Sequence, residues 1–527
     1  MKYPEKCFAF ILLAAIAALS LRLPQLDARP MHGDEAVNAL RFAELLQKGS
    51  YRYDPDEYHG PTLNYLTLLP ARFTSARSLS DMNELTLRIV PVFFAVLLIL
   101  LLLMLADGLG QAAAIIAAVL TAVSPAFVFY SRYYIHEMLL VCFTFGAIAS
   151  AYRYTRNRNF NWAILTGVFL GLMHATKETS VIAFASMLPA LLLTLLMMRR
   201  TGASVSDTLK KIKPSHLIAT IAAAVIVSAL LYSSFFKNPH GILDSAASYA
   251  TYFNRGFGNS VHNHPWYYYL KLLIYSGSPQ GPLWSEGLIV FLAAVGFIAA
   301  LTKKGIAGVN IHLLRFIAFY TAVMTILYSA IPYKTPWCML SFLHGLILLA
   351  AIGAVVLTKL ASNVLPRLII CLILIVAGLH LTFQACRAAY TYSADPVNPY
   401  VYAHSTADVV TIAGRLEQIA RIHPDAQNMH IQVICPADDY WPLPWYLRGF
   451  TSVGYFRHVD INVPPAPVII VSANLEDALA EKLYELPPGG RNLYVPLFDR
   501  YMQLRPGVYL QTYTTKDLLD TFQHHQP

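Results

Sequence analysis

The sequence has 527 residues, of which 56% are hydrophobic and only 13% are charged. Soluble domains carry about 25% charged residues, so this composition excludes a soluble protein and indicates a polytopic membrane protein. The net charge of +9 does not indicate a nucleic-acid partner, because the basic residues fall in short clusters between apolar stretches, as in cytoplasmic membrane loops.

Eleven apolar stretches are candidates for crossing a hydrocarbon core about 30 Å thick. The first is short for a spanning helix, but no small-residue cleavage site follows it, which favours an uncleaved anchor over a signal peptide. We therefore predict an α-helical polytopic protein with about 11 transmembrane helices. The stretches begin near Cys7, Leu85, Gln111, Met138, Trp162, Val181, Leu217, Leu288, Phe316, Trp337 and Leu368.

Clusters of Arg and Lys mark alternate connections between these stretches. Cytoplasmic loops are enriched in these residues, so the clustered connections and the N-terminus are predicted to be cytoplasmic. The remaining connections then face outwards, the longest being residues 24–84 and 237–286. We expect a multi-pass protein of the cytoplasmic (inner) membrane. The clusters are Arg153 to Arg158, Arg199 to Lys213, Lys303 with Lys304, and Lys359 to Arg367.

The composition changes after the last apolar stretch to that of a soluble domain. Ser405 to Asp408 forms a capping-box pattern before a predicted helix that ends at Ile422. Three strands are predicted, over residues 430–434, 467–471 and 507–513. The sequence thus predicts a transmembrane domain over residues 1–384 and a small extracytoplasmic α/β domain over residues 385–527.

An adjacent acidic pair opens a predicted amphipathic helix in the first outer loop. Asp34 and Glu35 stand in MHGDEAVNALRFAELL, whose apolar residues recur at helical spacing. Acidic residues in the first turn stabilise a helix by ~1 kcal/mol, so capping alone is one interpretation. Two carboxylates just beyond the first span, next to His32, exceed what a cap requires and favour a functional site.

This pair resembles the acidic pair of the GT-C glycosyltransferases, particularly the protein O-mannosyltransferase and aminoarabinose transferase superfamily. With SRYYIHE (131–137), HATKET (174–179), YKTPW (333–337) and WPLPWYLR (441–448), the chain resembles a branch described as flippase-activity-associated. The resemblance implies a hexosyl or pentosyl transferase that moves a sugar from a polyprenyl-phosphate-linked donor to a glycan, lipid or protein acceptor on the extracytoplasmic face. It also implies a GT-C-like membrane domain.

The alternative is a lipid-linked-sugar flippase or transporter component without transferase activity. Transporters usually place ionisable groups at mid-membrane in broken helices and often contain inverted repeats. The apolar stretches here are nearly free of charge at their centres, and no such repeat is evident. Transfer is therefore favoured over transport.

Transfer from a lipid phosphate requires a base for the acceptor proton and cations for the departing phosphate. Asp34 is the candidate base, and Glu35 would orient it or bind a metal. Snorkelling towards headgroups is the alternative role for each cation. The candidate phosphate-binding cations are Arg132, Lys177 and Lys334, each in its own short outer connection, and Arg255 in NRGFGNS.

The outer connections also contain aromatic, histidine and acidic residues that suit a sugar substrate. Aromatic belting at the membrane interface explains most of the tyrosines, although aromatic faces also stack on sugar rings. The candidate substrate-binding residues are Tyr133, Tyr134, His136, Glu137, Glu178, Tyr333 and Trp337. A divalent metal (Mn, Mg or Zn) is a candidate cofactor, with possible ligands His32, Glu35, His136, His262 and His264. Interfacial hydrogen bonding is the alternative role of these histidines.

Overall fold

The computed structural model describes residues 5–57, 59–201, 204–277, 281–485 and 492–525. Within them, each of the eleven predicted apolar stretches forms a helix. The helices of nine residues or more are α1 (Glu5–Ser20), α2 (Gly33–Lys48), α3 (Thr62–Phe73), α4 (Glu84–Leu101), α5 (Gln111–Val123), α6 (Glu137–Asn157), α7 (Phe160–His174), α8 (Ser180–Arg200), α9 (Pro214–Tyr232), α10 (Gly241–Phe257), α11 (Gly287–Thr302), α12 (Ile311–Ala330), α13 (Leu340–Leu360), α14 (Val364–Cys386), α15 (Asp408–Ala420) and α16 (Lys516–His524).

Seven spans among the described residues are long and apolar enough to cross a membrane. They contain α4, α6, α8, α9, α12, α13 and α14, and the helices α5, α7 and α11 are apolar but shorter. The protein is therefore a multi-pass membrane protein, as the sequence predicted.

Glycines allow two pairs of these helices to approach closely. On α7, a Cβ atom added at Gly167 or Gly171 would overlap backbone carbonyls of α9. Gly296 of α11 and Gly353 of α13 meet in the same manner, since a Cβ on either would overlap a carbonyl of the other helix. Lipid provides no hydrophobic driving force between helices, so small residues that permit close contact stabilise such pairs.

The chain forms two compact units. Unit 1 comprises Met1–Leu26, Glu44–Ser75 and Leu85–Tyr402, and unit 2 comprises Asp27–Ala43, Ala76–Glu84 and Ala403–Pro527. Unit 2 thus contains two segments of the first predicted outer loop. The functional division at residue 384, into a catalytic membrane domain and a soluble domain, stays a prediction.

Unit 2 contains a six-stranded sheet in its described part. The strands are β1 (Ile431–Ile434), β2 (Val453–Phe456), β3 (Val468–Ser472), β4 (Tyr494–Pro496), β5 (Met502–Arg505) and β6 (Val508–Thr515). Their order is β2-β1-β3-β6-β4, with β5 also paired to β6. β1 is parallel to β2 and β3, whereas β6 is antiparallel to its neighbours.

Successive side chains along a strand point to opposite faces of the sheet, and this sheet has a hydrophobic core on each face. Val468 and Ile470 pack on one face with buried residues of α15, including Val409 and Ile412. Ile469 and Val471 pack on the other face. The three strands predicted from the sequence correspond to β1, β3 and β6, and the small C-terminal α/β domain is confirmed.

Candidate active site

Asp34 lies in the first turn of α2, in unit 2. Its side chain is 56% exposed, and its carboxylate lies 4.0 Å from Nδ1 of His32. The backbone N–H of Asp34 donates to the same nitrogen at 3.1 Å. The first residue of the acidic pair is therefore an exposed carboxylate at a helix N-terminus, where the helix dipole favours negative charge.

Glu35 has a different environment, although it is the next residue. Its side chain is buried and forms an ion pair with Arg29 at 3.0 Å. It also accepts a hydrogen bond from the backbone N–H of His32 at 2.9 Å. These contacts fix the chain immediately before Asp34, so the structure places Glu35 among structural contacts of the loop.

Arg29 and His404 complete this cluster, and the sequence did not single out either residue. Nη1 of Arg29 lies 3.2 Å from Nε2 of His404. The ring of His404 stacks on His32 with a centroid distance of 5.6 Å. The sequence contains no local pattern that joins these residues, because position 404 follows position 29 by 375 residues.

The WPLPWYLR motif packs against the same outer-loop segments of unit 2. The hydroxyl of Tyr446 accepts a hydrogen bond from the backbone N–H of Met31 at 2.8 Å. Nε1 of Trp445 donates to Glu84 at 2.8 Å, and the guanidinium of Arg448 lies 4.0 Å from the Trp445 ring centre. The aromatic residues of this motif therefore connect the C-terminal segment to the first outer loop.

Lys177 and Glu137 form a buried ion pair in unit 1. Burial alone lowers the pKa of Lys177, but the adjacent Glu137 carboxylate outweighs it and raises that pKa overall. The ammonium group is therefore charged at neutral pH. In this structure the carboxylate of Glu137 neutralises it.

The neighbouring carboxylate of Glu178 is also buried and accepts two hydrogen bonds. The hydroxyl of Tyr53 donates to it at 2.7 Å, and Nδ1 of His59 lies 2.8 Å away. Burial raises the pKa of Glu178, but His59 and these hydrogen bonds outweigh burial, so the pKa is lowered overall. Nδ1 of His59 also lies 2.9 Å from the hydroxyl of Tyr252 on α10.

Arg132 contacts the chain that follows the first helix. Its guanidinium donates to the backbone carbonyls of Arg22, Pro24 and Gln25, each at 2.7 Å. It also lies 5.0 Å from the ring centre of Tyr390. These contacts hold the chain at the end of the first span in place. A phosphate-binding role for Arg132 stays a prediction.

Lys334 is buried in the connection between α12 and α13. Its ammonium group donates to the backbone carbonyls of Ile331 and of His264, the latter at 3.1 Å. Burial lowers the pKa of Lys334. Its backbone N–H donates to the carbonyl of His262 at 2.9 Å, so the YKTPW connection pairs with the segment after α10.

A cavity of about 570 Å³ lies in unit 1 between α10, the segment that follows it and the YKTPW connection. It brings together Arg255 and Tyr333, two residues predicted from the sequence to bind donor or substrate. The guanidinium of Arg255 donates to the carbonyl of Asp56 and lies 5.4 Å from the ring centre of Tyr252. The lining residues are Thr251, Asn254, Arg255, Gly258, Asn259, Ser260 and Tyr333.

The other predicted substrate residues are buried in unit 1. The hydroxyl of Tyr134 lies 2.7 Å from the hydroxyl of Thr67. His136 lies 3.1 Å from the carbonyl of Gly60, and burial, followed by His59 and Lys177, lowers its pKa. The ring of Tyr133 packs against Phe129 and Tyr130, and the ring of Trp337 packs against Tyr130 and Tyr402.

The candidate metal ligands occupy several distinct environments. His262 and His264 both contact the hydroxyl of Tyr402, at 2.6 and 3.2 Å. His136 contacts Gly60, whereas His32 and Glu35 belong to unit 2. Among the residues that the structure describes, no three His, Cys, Asp or Glu side chains form a group that could hold a metal ion.

Solved structures with similar folds are known. ArnT from Cupriavidus metallidurans bound to undecaprenyl phosphate has a TM-score of 0.64 and 14% identity, over 97% of this chain and 98% of that one. The apo state of the same protein has a TM-score of 0.63 and 14% identity, over 96% of this chain and 97% of that one. The oligosaccharyltransferase of Archaeoglobus fulgidus, in complex with Zn and sulfate, has a TM-score of 0.52 and 15% identity, over 90% of this chain and 70% of that one. The protein therefore has the GT-C fold, as predicted.

A sequence comparison matches part of the chain to a family model. Residues 69–240 match the model of the family PMT, dolichyl-phosphate-mannose-protein mannosyltransferase. No curated protein matches the chain. The match covers about a third of the chain, and neither it nor the fold gives support to the flippase alternative.

Proposed function

We propose that the protein transfers a sugar from a polyprenyl-phosphate-linked donor to an acceptor on the extracytoplasmic face of the cytoplasmic membrane. In this proposal the N-terminus is cytoplasmic and the C-terminal domain is extracytoplasmic. The acceptor is a glycan, lipid or protein, and Asp34 is the base. One solved neighbour supports a lipid-linked donor, because it is bound to undecaprenyl phosphate.

The cavity that contains Arg255 and Tyr333 is the observation that carries the proposal. Its volume falls within the ~300–1,000 Å³ range of small-molecule sites. Its wall supplies a guanidinium for phosphate, a tyrosine ring for a sugar face, and amide and hydroxyl groups for sugar hydroxyls. This combination suits the head of a sugar phosphate.

The chemical step requires a group that accepts the proton of the acceptor. Asp34 suits this role because it is the exposed member of the acidic pair, whereas Glu35 is buried against Arg29. The acceptor atom forms the new bond to the anomeric carbon and its proton passes to Asp34, while the bond from that carbon to the phosphate oxygen breaks. The bonding electrons leave with the phosphate, where cations stabilise the developing charge.

The base assignment is tested with Asp34→Asn in purified protein reconstituted with donor and acceptor. We expect a folded protein that binds donor but transfers sugar at least ~100-fold more slowly, the scale for losing a general base. Glu44→Gln removes an exposed carboxylate from the same helix and serves as the matched control, with near-normal transfer expected. Near-normal turnover of Asp34→Asn would remove this residue from the mechanism.

The cavity is tested separately with Arg255→Gln and Tyr333→Phe. Loss of the guanidinium should raise the KM for the lipid-linked donor more than it lowers kcat, since phosphate is contacted in both the ground and transition states. Tyr333→Phe keeps the ring and should have the smaller effect. An unchanged donor KM in Arg255→Gln would show that the phosphate binds elsewhere.

A further inference from the structure

Three aromatic side chains of unit 2 lie in a row that begins beside the acidic pair. A Cβ atom added at Gly33, the residue before Asp34, would lie 3.8 Å from Cβ of Trp441. The ring of Tyr440 lies 5.6 Å from that of Trp441 between centroids, and the ring of Tyr455 lies 4.8 Å from that of Tyr440. All three side chains are only partly buried. This aromatic row (Trp441, Tyr440 and Tyr455) therefore leads from the residue before Asp34 to β2.

Charged side chains flank the aromatic row in two ion pairs. Nη2 of Arg457 contacts both carboxylate oxygens of Asp438, at 3.1 and 3.2 Å, and both side chains are exposed. Arg505 binds the carboxylate of Asp439 and donates to the carbonyl of Trp441 at 2.9 Å. Each of the two cations is balanced by a carboxylate, so these four groups together carry no net charge. The surface beside the aromatic row therefore offers hydrogen-bond donors and acceptors without a charge that would attract an ion.

The loop that carries this surface follows β1, at a position where α/β sheets bind ligands. β1 lies between β2 and β3 and is parallel to both, so the chain passes from one side of β1 to the other after β2. Ligands of open α/β sheets bind outside the carboxyl ends of the strands at such a reversal. Asp438 and Trp441 follow the carboxyl end of β1, and Arg457 follows β2 directly. Ala437 and Asp438 have φ angles of 49° and 64°, which non-glycine residues rarely adopt and which cluster at ligand sites.

The combination of these groups matches a carbohydrate better than other ligands. Aromatic faces stack on sugar rings, and Tyr and Trp provide a rigid contact area with a polar atom at the edge. Paired Arg and Asp side chains present donors and acceptors in a fixed geometry, which suits the hydroxyl groups of a sugar. A nucleic acid or a phosphorylated ligand would require cations that no carboxylate balances. An acyl chain would require a surface without ion pairs.

We propose that the aromatic row binds a neutral oligosaccharide and that this oligosaccharide is the acceptor. Trp441 contacts the sugar nearest Asp34, and the two tyrosines contact the sugars further along. The ion pair of Asp438 and Arg457 binds the hydroxyl groups of those sugars. A hydroxyl group of the sugar on Trp441 is then the group that gives its proton to Asp34 in the transfer step. The role as acceptor rests on the proposed function, whereas the binding of an oligosaccharide does not.

Binding is tested with the full-length protein in lipid nanodiscs, because maltoside detergents themselves carry sugars. The probe is a panel of short neutral gluco-, manno- and galacto-oligosaccharides, detected by saturation-transfer NMR. Trp441→Ala should weaken binding at least ~10-fold, the scale for losing a central aromatic contact, and Trp441→Phe should retain most of the affinity. Arg457→Ala changes an exposed ion pair, so it should weaken binding without altering unfolding. Tyr484→Ala removes an exposed tyrosine that bonds to β4, at the other end of the strand order, and is the matched control.

Two results of this experiment would overturn the proposal. One is that no oligosaccharide of the panel binds to the unsubstituted protein. The other is equal affinity of the unsubstituted protein, Trp441→Ala and Arg457→Ala for the oligosaccharide that binds. A library of short peptides is tested in parallel. If only peptides bind and the same two variants lose them, the ligand is a protein segment and the carbohydrate proposal is wrong.

The acceptor role is tested by transfer to the oligosaccharide that binds best. Trp441→Ala should raise the KM for this acceptor several-fold and leave the KM for the lipid-linked donor unchanged, the reverse of the result expected for Arg255→Gln. An unchanged KM for the acceptor would refute the acceptor role, although the protein would still be a transferase. Failure of the unsubstituted protein to transfer sugar to any acceptor would instead refute the proposed function. The binding assay would then still decide whether the aromatic row binds an oligosaccharide.

Discussion

Replacing Lys177 separates a structural role from a role in binding the donor phosphate. Lys177 and Glu137 are both buried and form an ion pair. Lys177→Met would leave the Glu137 carboxylate buried without its cation, which costs about 3–5 kcal/mol of the free energy of unfolding. The double variant with Glu137→Leu removes both charges. Because well-packed apolar residues can replace a buried pair at little cost, it should recover most of that stability.

The assay combines unfolding of the detergent-solubilised variants with transfer measured at limiting donor. If Lys177 only neutralises Glu137, the double variant should recover both stability and transfer. If Lys177 also contacts the donor phosphate, stability should recover while the KM for donor stays high. A loss below about 1 kcal/mol in Lys177→Met would refute the argument, since a buried unpaired charge costs more than that.

Three further predictions concern single contacts. Glu35→Gln should lower the free energy of unfolding, measured with denaturant, by about 3 kcal/mol, because Arg29 would lose its buried counter-charge. A loss below about 1 kcal/mol, the scale of a surface ion pair, would contradict this role. In Arg132→Lys the lysine cannot reproduce the contacts to three carbonyls, so the free energy of unfolding should fall by about 2 kcal/mol. Unchanged stability with a raised KM for the donor would instead favour phosphate binding. Because the pKa of Glu178 is lowered in the folded protein, its ionised carboxylate stabilises the fold at pH values above the ordinary pKa of 4.5. This stability should be lost as the pH falls through the lowered pKa. In pH-dependent thermal unfolding, His59→Ala should move that loss to higher pH, and no movement would exclude the pairing.

The membrane helices were predictable because a spanning segment must satisfy its backbone and face lipid, whatever its neighbours are. The local signal was weaker in unit 2. The capping-box pattern at Ser405 predicted the start of α15 within a few residues, but the helix has no side-chain cap. Instead, the carboxylate of Asp408 binds Arg500 at 2.7 and 2.8 Å. The partner that decides the role of Asp408 lies 92 residues away, beyond any local pattern.

The candidate site shows the same limit. Sequence motifs identified charged residues in the outer connections, but they did not show which charges were already paired. Lys177 and Glu137 stood in separate motifs, and their pairing depends on how α6 and α8 are placed. Asp34 and Glu35 are adjacent, yet one is exposed and the other buried, because side chains one residue apart on a helix point in directions about 100° apart.

The glycine contact between α7 and α9 has a consequence for biosynthesis. With 15 residues, α7 is about 22 Å long, shorter than the ~30 Å hydrocarbon core. Its closest backbone partner, α9, ends roughly 60 residues later, so about 3–12 s of chain elongation pass before that partner exists. We therefore expect the order of helix insertion to differ from the order of helix packing. The α7 segment would enter the bilayer early and gain its glycine-lined neighbour only after α8 has been inserted.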